Sequence, residues 1–254
     1  LGFDLLERRQ MLAAVPERLL DLNQDTRPSS PQELASSNGS IYFTAFPGVC
    51  RSSCDTDIRQ VWRTDGTAAG SQLLAEFSSP SANLAIGEFT QVGTTTYFVA
   101  NADLWKTDGT AAGTVKVHDF NAFPPPRELT NVNGTLFFVA SDGSQGTELW
   151  KSDGTTAGTV LVKEIEAGSF GSDPRELTVM NGTLYFVASD MYRALNRDYE
   201  LWKSDGTAGG TSVVADLIPG ATGSQPSSLE AVGNRLFFFA TDGVVGKELW
   251  TTDG

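Results

Sequence analysis

Between residues 175 and 217 short apolar runs alternate with pairs of turn residues: RELTVM, Asn181-Gly182, TLYFVAS, a polar stretch, YELWKS, Asp205-Gly206, then TSVVADL. Asn-Gly and Asp-Gly between apolar runs are strong hairpin signals, because the central residues of such turns favour positive φ. The pattern predicts four antiparallel strands in this stretch. Its second strand is almost continuously apolar, here and in TLFFVA and RLFFFA, as expected of a strand sandwiched between neighbouring sheets. Amphipathic helical spacing is absent after about residue 16.

The same grammar recurs along the chain. Trp62, Trp105, Trp150, Trp202 and Trp250 all stand in versions of one motif, from VWRTDGTAAG to ELWKSDGTAGGT, at spacings of 43, 45, 52 and 48 residues. A period in this range marks propeller blades and related arrays, and four strands is the content of one blade. The fourth strand of four copies ends in an apolar-x-acidic-apolar run: LAEF at 74–77, VHDF at 117–120, VKEI at 162–165 and VADL at 214–217. No fifth copy follows Trp250, but LLDL stands at 19–22. An all-β propeller of about five four-stranded blades is therefore expected. Residues 17–23 would complete the last blade and remove both open sheet edges. The implied division is an N-terminal segment, 1–16, and a propeller, 17–254, with blades at about 32–78, 79–122, 123–167, 168–218 and 219–254 plus 17–23. The chain begins at Leu1 and stops in mid-motif at Gly254, so a piece of a longer array is the alternative expectation.

At this point the residues resemble a known family, the ELWxxDGT repeat proteins, which are large exported bacterial proteins of the propeller type. Glu148-Leu149-Trp150, Glu200-Leu201-Trp202 and Glu248-Leu249-Trp250 carry the resemblance, with Asp-Gly at the required offset. Gln60-Val61-Trp62 and Asp103-Leu104-Trp105 lack the Glu, so it is not required in every blade. The turn is also similar to the Asp-box of sialidase-like propellers, where it is structural. Residues 3–14, FDLLERRQMLAA, resemble the LEPR-XLL-type export segment of planctomycete proteins, with Arg in place of the Pro of that pattern; the alternative is an amphipathic helix beside the propeller. These resemblances imply a secreted or cell-surface protein used in adhesion, binding or display.

Repetition also bears on chemistry. A residue serving one active site should occur once, yet Asp65, Asp108, Asp153, Asp205 and Asp253 occur once per repeat. They are read, with the five tryptophans, as architecture: the Asp accepts turn N–H groups, Gly supplies positive φ, and Trp fills the wedge between sheets. Asn38, Asn133 and Asn181 match glycosylation acceptors, but their place in each first hairpin makes them turn residues first. The stretch between second and third strands behaves differently, being nearly absent in VANADLW and long in SDMYRALNRDYE. Varied loops on a rigid scaffold are where binding usually resides. Tyr192, Arg193, Asn196, Arg197 and Tyr199 are the candidate ligand-binding residues, suited to a sugar ring or a peptide, with Met191 and Asp198 beside them. Arg127 and Arg175, in PPPREL and SDPREL, are further candidates for that face, with a structural role as rigid entries to the first strand as the alternative.

Composition narrows the partners. With 31 acidic and 18 basic residues the net charge is −13, which repels polyphosphate, so nucleic acid is not expected. No apolar run is long enough to span a membrane as a helix. Polysaccharide or a surface or matrix protein is the expected partner, a multivalent lectin with one weak site per blade is the alternative, and no cofactor is implied. His118 is the one histidine and is read as structural. Glycan cleavage would need a pair of carboxylates about 5–10 Å apart, and no unmatched pair stands out, so the chain is expected not to be an enzyme. Cys50 and Cys54 are read as a small disulfide loop if the protein is exported, with free thiols or a metal site as alternatives. SDGSQGTE could attract calcium, but it lacks the spacing of a dedicated calcium loop, and no metal site is assigned.

Overall fold

The computed structural model describes residues 18–19, 22, 29–47, 57–79, 85–120, 123–193, 196–219 and 222–254. The segment 1–16, most of the expected closing strand 17–23, and the Cys50–Cys54 loop lie outside the described residues.

The described residues form five antiparallel sheets, each a simple meander. The first holds β1 (Gln32–Ser37), β2 (Ser40–Ala45), β3 (Asp57–Thr64) and β4 (Gln72–Ser79). The second holds β5 (Ile86–Val92), β6 (Thr95–Ala100), β7 (Asp103–Thr107) and β8 (Val115–His118). The third holds β9 (Arg127–Val132), β10 (Thr135–Ser141), β11 (Thr147–Ser152) and β12 (Val160–Lys163). The fourth holds β13 (Arg175–Met180), β14 (Thr183–Arg193), β15 (Asn196–Ser204) and β16 (Ser212–Ala215). The fifth has β17 (Ser227–Val232), β18 (Arg235–Ala240) and β19 (Glu248–Thr252). First strands of successive sheets neighbour one another, β1 with β5, β5 with β9, β9 with β13 and β13 with β17.

Apolar second strands place the core between sheets. Phe77 of one sheet meets Phe98 and Trp105 of the next, and Phe120 meets Phe138 and Trp150 in the same way, with Phe120 and Trp150 edge to face at 5.2 Å. Ile165 packs into the cluster of Trp202, and Leu217 into that of Trp250. The last apolar residue of each of these four apolar-x-acidic-apolar runs thus joins the cluster that holds the tryptophan of the following sheet. His118 lies in this joint, its ring 4.6 Å from that of Phe120.

Each first strand carries a bulge. Glu33, Glu88, Glu128, Glu176 and Ser228 have φ between 53° and 60°, and the strand register shifts around them. The kink sends a carboxylate across to the next sheet: Glu88 accepts the Leu129 N–H at 3.2 Å, Glu128 that of Leu177 at 2.9 Å, and Glu176 that of Leu229 at 2.9 Å. A left-handed conformation costs a non-glycine residue about 1–2 kcal/mol, and the charge-assisted bond offsets it.

The fifth sheet differs at its outer face. Leu249 is 64% exposed and Phe239 43%, whereas Leu149 and Val139, at the same positions of the third sheet, are both 0% exposed. A methyl group at Gly109, Gly154, Gly206 or Gly254 would touch Tyr42, Tyr97, Phe137 or Tyr185 of the preceding sheet, while one at Gly66 would touch nothing within 4 Å.

Candidate binding site on the fourth-sheet hairpin

The repeated Asp-Gly turns share one geometry. In the third sheet the Asp153 carboxylate accepts the Thr155 N–H at 2.8 Å and the Thr155 hydroxyl at 2.7 Å. The Thr155 hydroxyl oxygen accepts the Gly158 N–H at 2.9 Å, and the Thr159 hydroxyl donates to the Thr155 carbonyl at 2.7 Å. Asp65, Asp108 and Asp205 repeat the arrangement. The threonine hydroxyls hold all four carboxyls below the ordinary aspartate range. Lys106 and Lys151, each following its tryptophan, donate at 2.8 Å to the carbonyls of Gly154 and Gly206 in the next sheet's turn. The acidic turn and the basic strand residue therefore staple neighbouring sheets. The sequence pattern W-K/R-x-D-G held this signal, but the basic residue in it was given no role. Asp253 ends the fifth copy, where the Gly254 N–H donates to the Thr252 hydroxyl at 3.1 Å.

The glutamate of the motif has a separate task. Glu148, 0% exposed, accepts N–H groups from Ile165, Glu166 and Ser172 and the Ser172 hydroxyl at 2.5 Å. It therefore pins the connection leading to the fourth sheet. Burial pushes its carboxyl up to about 7 against the pull of those four donors. Glu200 does the same for Ser224, and its carboxyl is likewise raised by burial. Asp103 instead accepts the Phe120 N–H and pairs with Lys116 at 2.5 Å, and Gln60 donates to Glu76. The motif's two departures thus keep a polar residue at the joint with different partners.

The long polar stretch of the fourth repeat is a strand extension rather than an open loop, correcting the sequence expectation. β14 and β15 continue as a hairpin in which Tyr192 pairs with Arg197 and Arg193 with Asn196. The side chains of Tyr192, Arg193 and Asn196 lie outside the described residues. Met191 is exposed, and Asp198 is buried and faces Gly223.

Arg197 and Tyr199 come together with the two arginines of the inter-sheet connections. Asp173 is the hub: it accepts Arg127 at 2.7 Å and the Tyr199 hydroxyl at 2.8 Å, with Arg197 at 3.8 Å. Arg197 also donates to the Gly171 carbonyl at 3.3 Å. The Arg175 guanidinium lies over the Tyr199 ring, 3.8 Å from its centroid. Burial, then the bond to Asp173, raises the Tyr199 phenol above its ordinary range. Asp173 itself was not foreseen; its place in SDPREL, two residues before Arg175, was the available signal. Arg127 and Arg175 open first strands and Arg197 lies near the start of a third strand, so all three are at the same end of their sheets.

Gly171 makes the cluster possible. Its φ is +64°, and a methyl group there would sit 2.3 Å from the Thr147 backbone nitrogen, so only glycine lets the connection lie against β11. Ser172 and Asp173 then fall beneath Glu148 and Arg127.

Among the described residues no group of three or more His, Cys, Asp or Glu side chains could hold a metal ion. Within SDGSQGTE, the Asp142 carboxylate accepts Ser144 and Gln145 N–H groups in a tight turn. Among the described residues no helix is long and apolar enough to cross a membrane.

No family model matches the chain, and no curated protein matches it either. Among solved structures it is similar to a puromycin hydrolase (TM-score 0.50, 16% identity, 86% of this chain and 35% of that one). It is also similar to the β-propeller domain of the Trilobed protease from Pyrococcus furiosus (TM-score 0.44, 11% identity, 88% and 65%). A third likeness is to an exo-β-1,3-galactanase from Clostridium thermocellum (TM-score 0.37, 12% identity, 82% and 53%). The chain thus spans about a third of the hydrolase it resembles. Five antiparallel meander sheets whose first strands neighbour one another in chain order define an all-β protein of the β-propeller class. The likeness to the puromycin hydrolase corrects one expectation: the fold is shared with a hydrolase, so the assignment as no enzyme does not stand. At 16% identity the likeness concerns the fold alone.

Proposed function

We propose that this is a secreted or cell-surface propeller of the ELWxxDGT repeat kind that works by binding, in adhesion or display, through the end of the molecule carrying the fourth-sheet hairpin. The observation carrying this reading is the Asp173 cluster, which occurs once among the described residues of a repetitive chain. Gln225 stands where Asp173 stands one connection earlier, and it donates instead to the carbonyls of Arg197 and Thr222. Ser227 stands in place of Arg175, and Lys247 in place of Tyr199. A singular polar cluster on a uniform scaffold favours one recognition site over a lectin with a site in every blade. A screen of glycans and matrix proteins against the full chain tests it, beside a variant whose residues 190–198 are replaced by the Asp142–Gly146 turn. Equal melting curves with binding lost in the variant support the reading. Binding that survives the exchange, or no binding by either protein, refutes it.

The same reading takes the propeller as a five-bladed ring in which residues 17–23 add a fourth strand to β19. Support comes from the joints: Phe77, Phe120, Ile165 and Leu217 each share a cluster with the next tryptophan, and Leu22 of LLDL is the matching residue for Trp62. Closure would also cover Leu249 and Phe239. Hydrogen exchange is the test. The outward amides of β19 should be protected in the full chain and exchange freely once residues 1–23 are removed; equal exchange in both sinks the closure.

A further inference from the structure

Two guanidinium groups reach one carboxylate in the cluster, and a third lies over the ring of its tyrosine partner. Asp173 is shared by Arg127, Arg197 and the Tyr199 hydroxyl, while Arg175 stacks on the Tyr199 ring and makes no hydrogen bond among the described residues. The neighbouring carboxylates are engaged elsewhere. Glu128 receives the Leu177 N–H, Glu176 that of Leu229, and Asp198 faces Gly223. Those carboxylates keep their charge, so the cluster carries no net positive surplus; what it offers is three guanidinium groups gathered at one solvent-accessible end of two sheets, in a chain of net charge −13. The side chains of Arg127, Asp173 and Arg197 keep 29%, 35% and 21% of their exposure.

A guanidinium whose central carbon lies 3.8 Å over a ring centroid keeps N–H groups directed away from the ring, a fork that matches a carboxylate. The tyrosine holds Arg175 in that pose, so little side-chain freedom remains to be lost on binding. Phe170, whose carbonyl lies 3.5 Å from the Arg197 guanidinium, is 54% exposed and adds an apolar aromatic surface of the kind that takes the face of a pyranose ring. The overall negative charge repels densely charged polyanions, which favours a ligand presenting one carboxylate at a time beside a sugar ring.

We propose that Arg175, with Arg127, Arg197 and Tyr199, forms a recognition site for the carboxylate of an acidic glycan, a uronic-acid residue, with Phe170 flanking the sugar. This rests on the reading of the hairpin end as the binding surface.

The test is calorimetric titration of the full chain with trigalacturonate and with a glucuronate-containing hyaluronan tetrasaccharide. The methyl ester of trigalacturonate serves as its uncharged twin, and hexaglutamate as an acidic peptide. At least one acidic saccharide should bind. Arg175→Gln, which breaks no internal hydrogen bond but gives up the contact with the Tyr199 ring, should lower the melting temperature only slightly and should weaken that binding roughly tenfold to a hundredfold, the scale of one charge-assisted hydrogen bond. Esterification should weaken trigalacturonate by a similar factor, and this comparison needs no variant. Ester and acid binding alike, with Arg175→Gln silent, overturns the carboxylate site; if the hairpin exchange still abolishes that binding, the hairpin reading survives alone. Binding of hexaglutamate only overturns the glycan assignment. Binding of neither saccharide overturns the inference, and a blank in the wider screen as well would take the hairpin reading with it.

Discussion

Glu148 gives the chain a stability that should fall as pH rises. Its carboxyl is raised from 4.5 to about 7, burial being the largest cause. Below pH 4.5 the group is protonated in both folded and unfolded chains and contributes no pH dependence. As pH rises through that value the unfolded chain releases the proton while the folded chain keeps it, so the fold loses ground until about pH 7, where Glu148 ionises in place. The shift of 4.5 to about 7 corresponds to about 3 kcal/mol, at 1.36 kcal/mol per pH unit. Glu200 is shifted the same way and adds to the slope. The four turn aspartates, whose carboxyls are lowered, act with the opposite sign and only below their ordinary range. Urea unfolding at pH 5 and pH 8 measures the loss, and Glu148→Gln, neutral throughout, isolates it. The variant is expected to be less stable at pH 5, because its amide cannot accept from all four donors, but its pH 5 to pH 8 difference should be smaller than that of the parent by about 2.5 kcal/mol, part of the full shift having been lost by pH 5. Equal slopes would mean that the three N–H groups and the Ser172 hydroxyl keep Glu148 ionised down to pH 5, and that the desolvation argument is wrong.

Lys151→Met should lower unfolding stability by about 1.5–3 kcal/mol, the scale of a hydrogen bond from a charged donor, since its bond to the Gly206 carbonyl joins two sheets; an unchanged urea midpoint would remove the staple from the account. Gly171→Ala should cost about 3 kcal/mol or more because its methyl group would strike the Thr147 backbone, and near-normal melting would refute the close approach. Gly134→Ala, with open space around it and φ of +86°, should cost only about 1–2 kcal/mol from the left-handed backbone, so thermal melting of the two alanine variants separates collision from conformational strain.

The strands were legible because their signals are local: Asn-Gly and Asp-Gly fix hairpins, and apolar second strands such as TLFFVA announce burial on both faces. The same reading ended VADL as strand, whereas β16 stops at Ala215, because Leu217 leaves the ladder to pack against the cluster that Trp250 also joins. The bulges were not legible. RELTVM reads as an unbroken strand, and only the neighbouring sheet explains why Glu176 takes φ of 57°: its carboxylate is needed at Leu229. The hairpin was missed for a related reason, since the polar residues of SDMYRALNRDYE mimic a loop while their backbone pairing carries on across the register shift between Ser189 and Tyr192.

Repetition separates structure from recognition more sharply in three dimensions than along the chain. Lys106 and Lys151 meet equivalent carbonyls, and Glu88, Glu128 and Glu176 meet equivalent N–H groups, so each of these charges is consumed by the neighbouring repeat. Arg127 and Arg175 begin as repeats of one another in PPPREL and SDPREL, yet their partners differ: one meets Asp173 and the other a tyrosine ring. The divergence follows from the hairpin, which brings Arg197 and Tyr199 onto a connection that Glu148 and Gly171 have already fixed. A ligand at this end would therefore meet groups held from three sides, by β9, β13 and β15. Loosening any one of those supports should weaken binding without touching the ligand's own contacts.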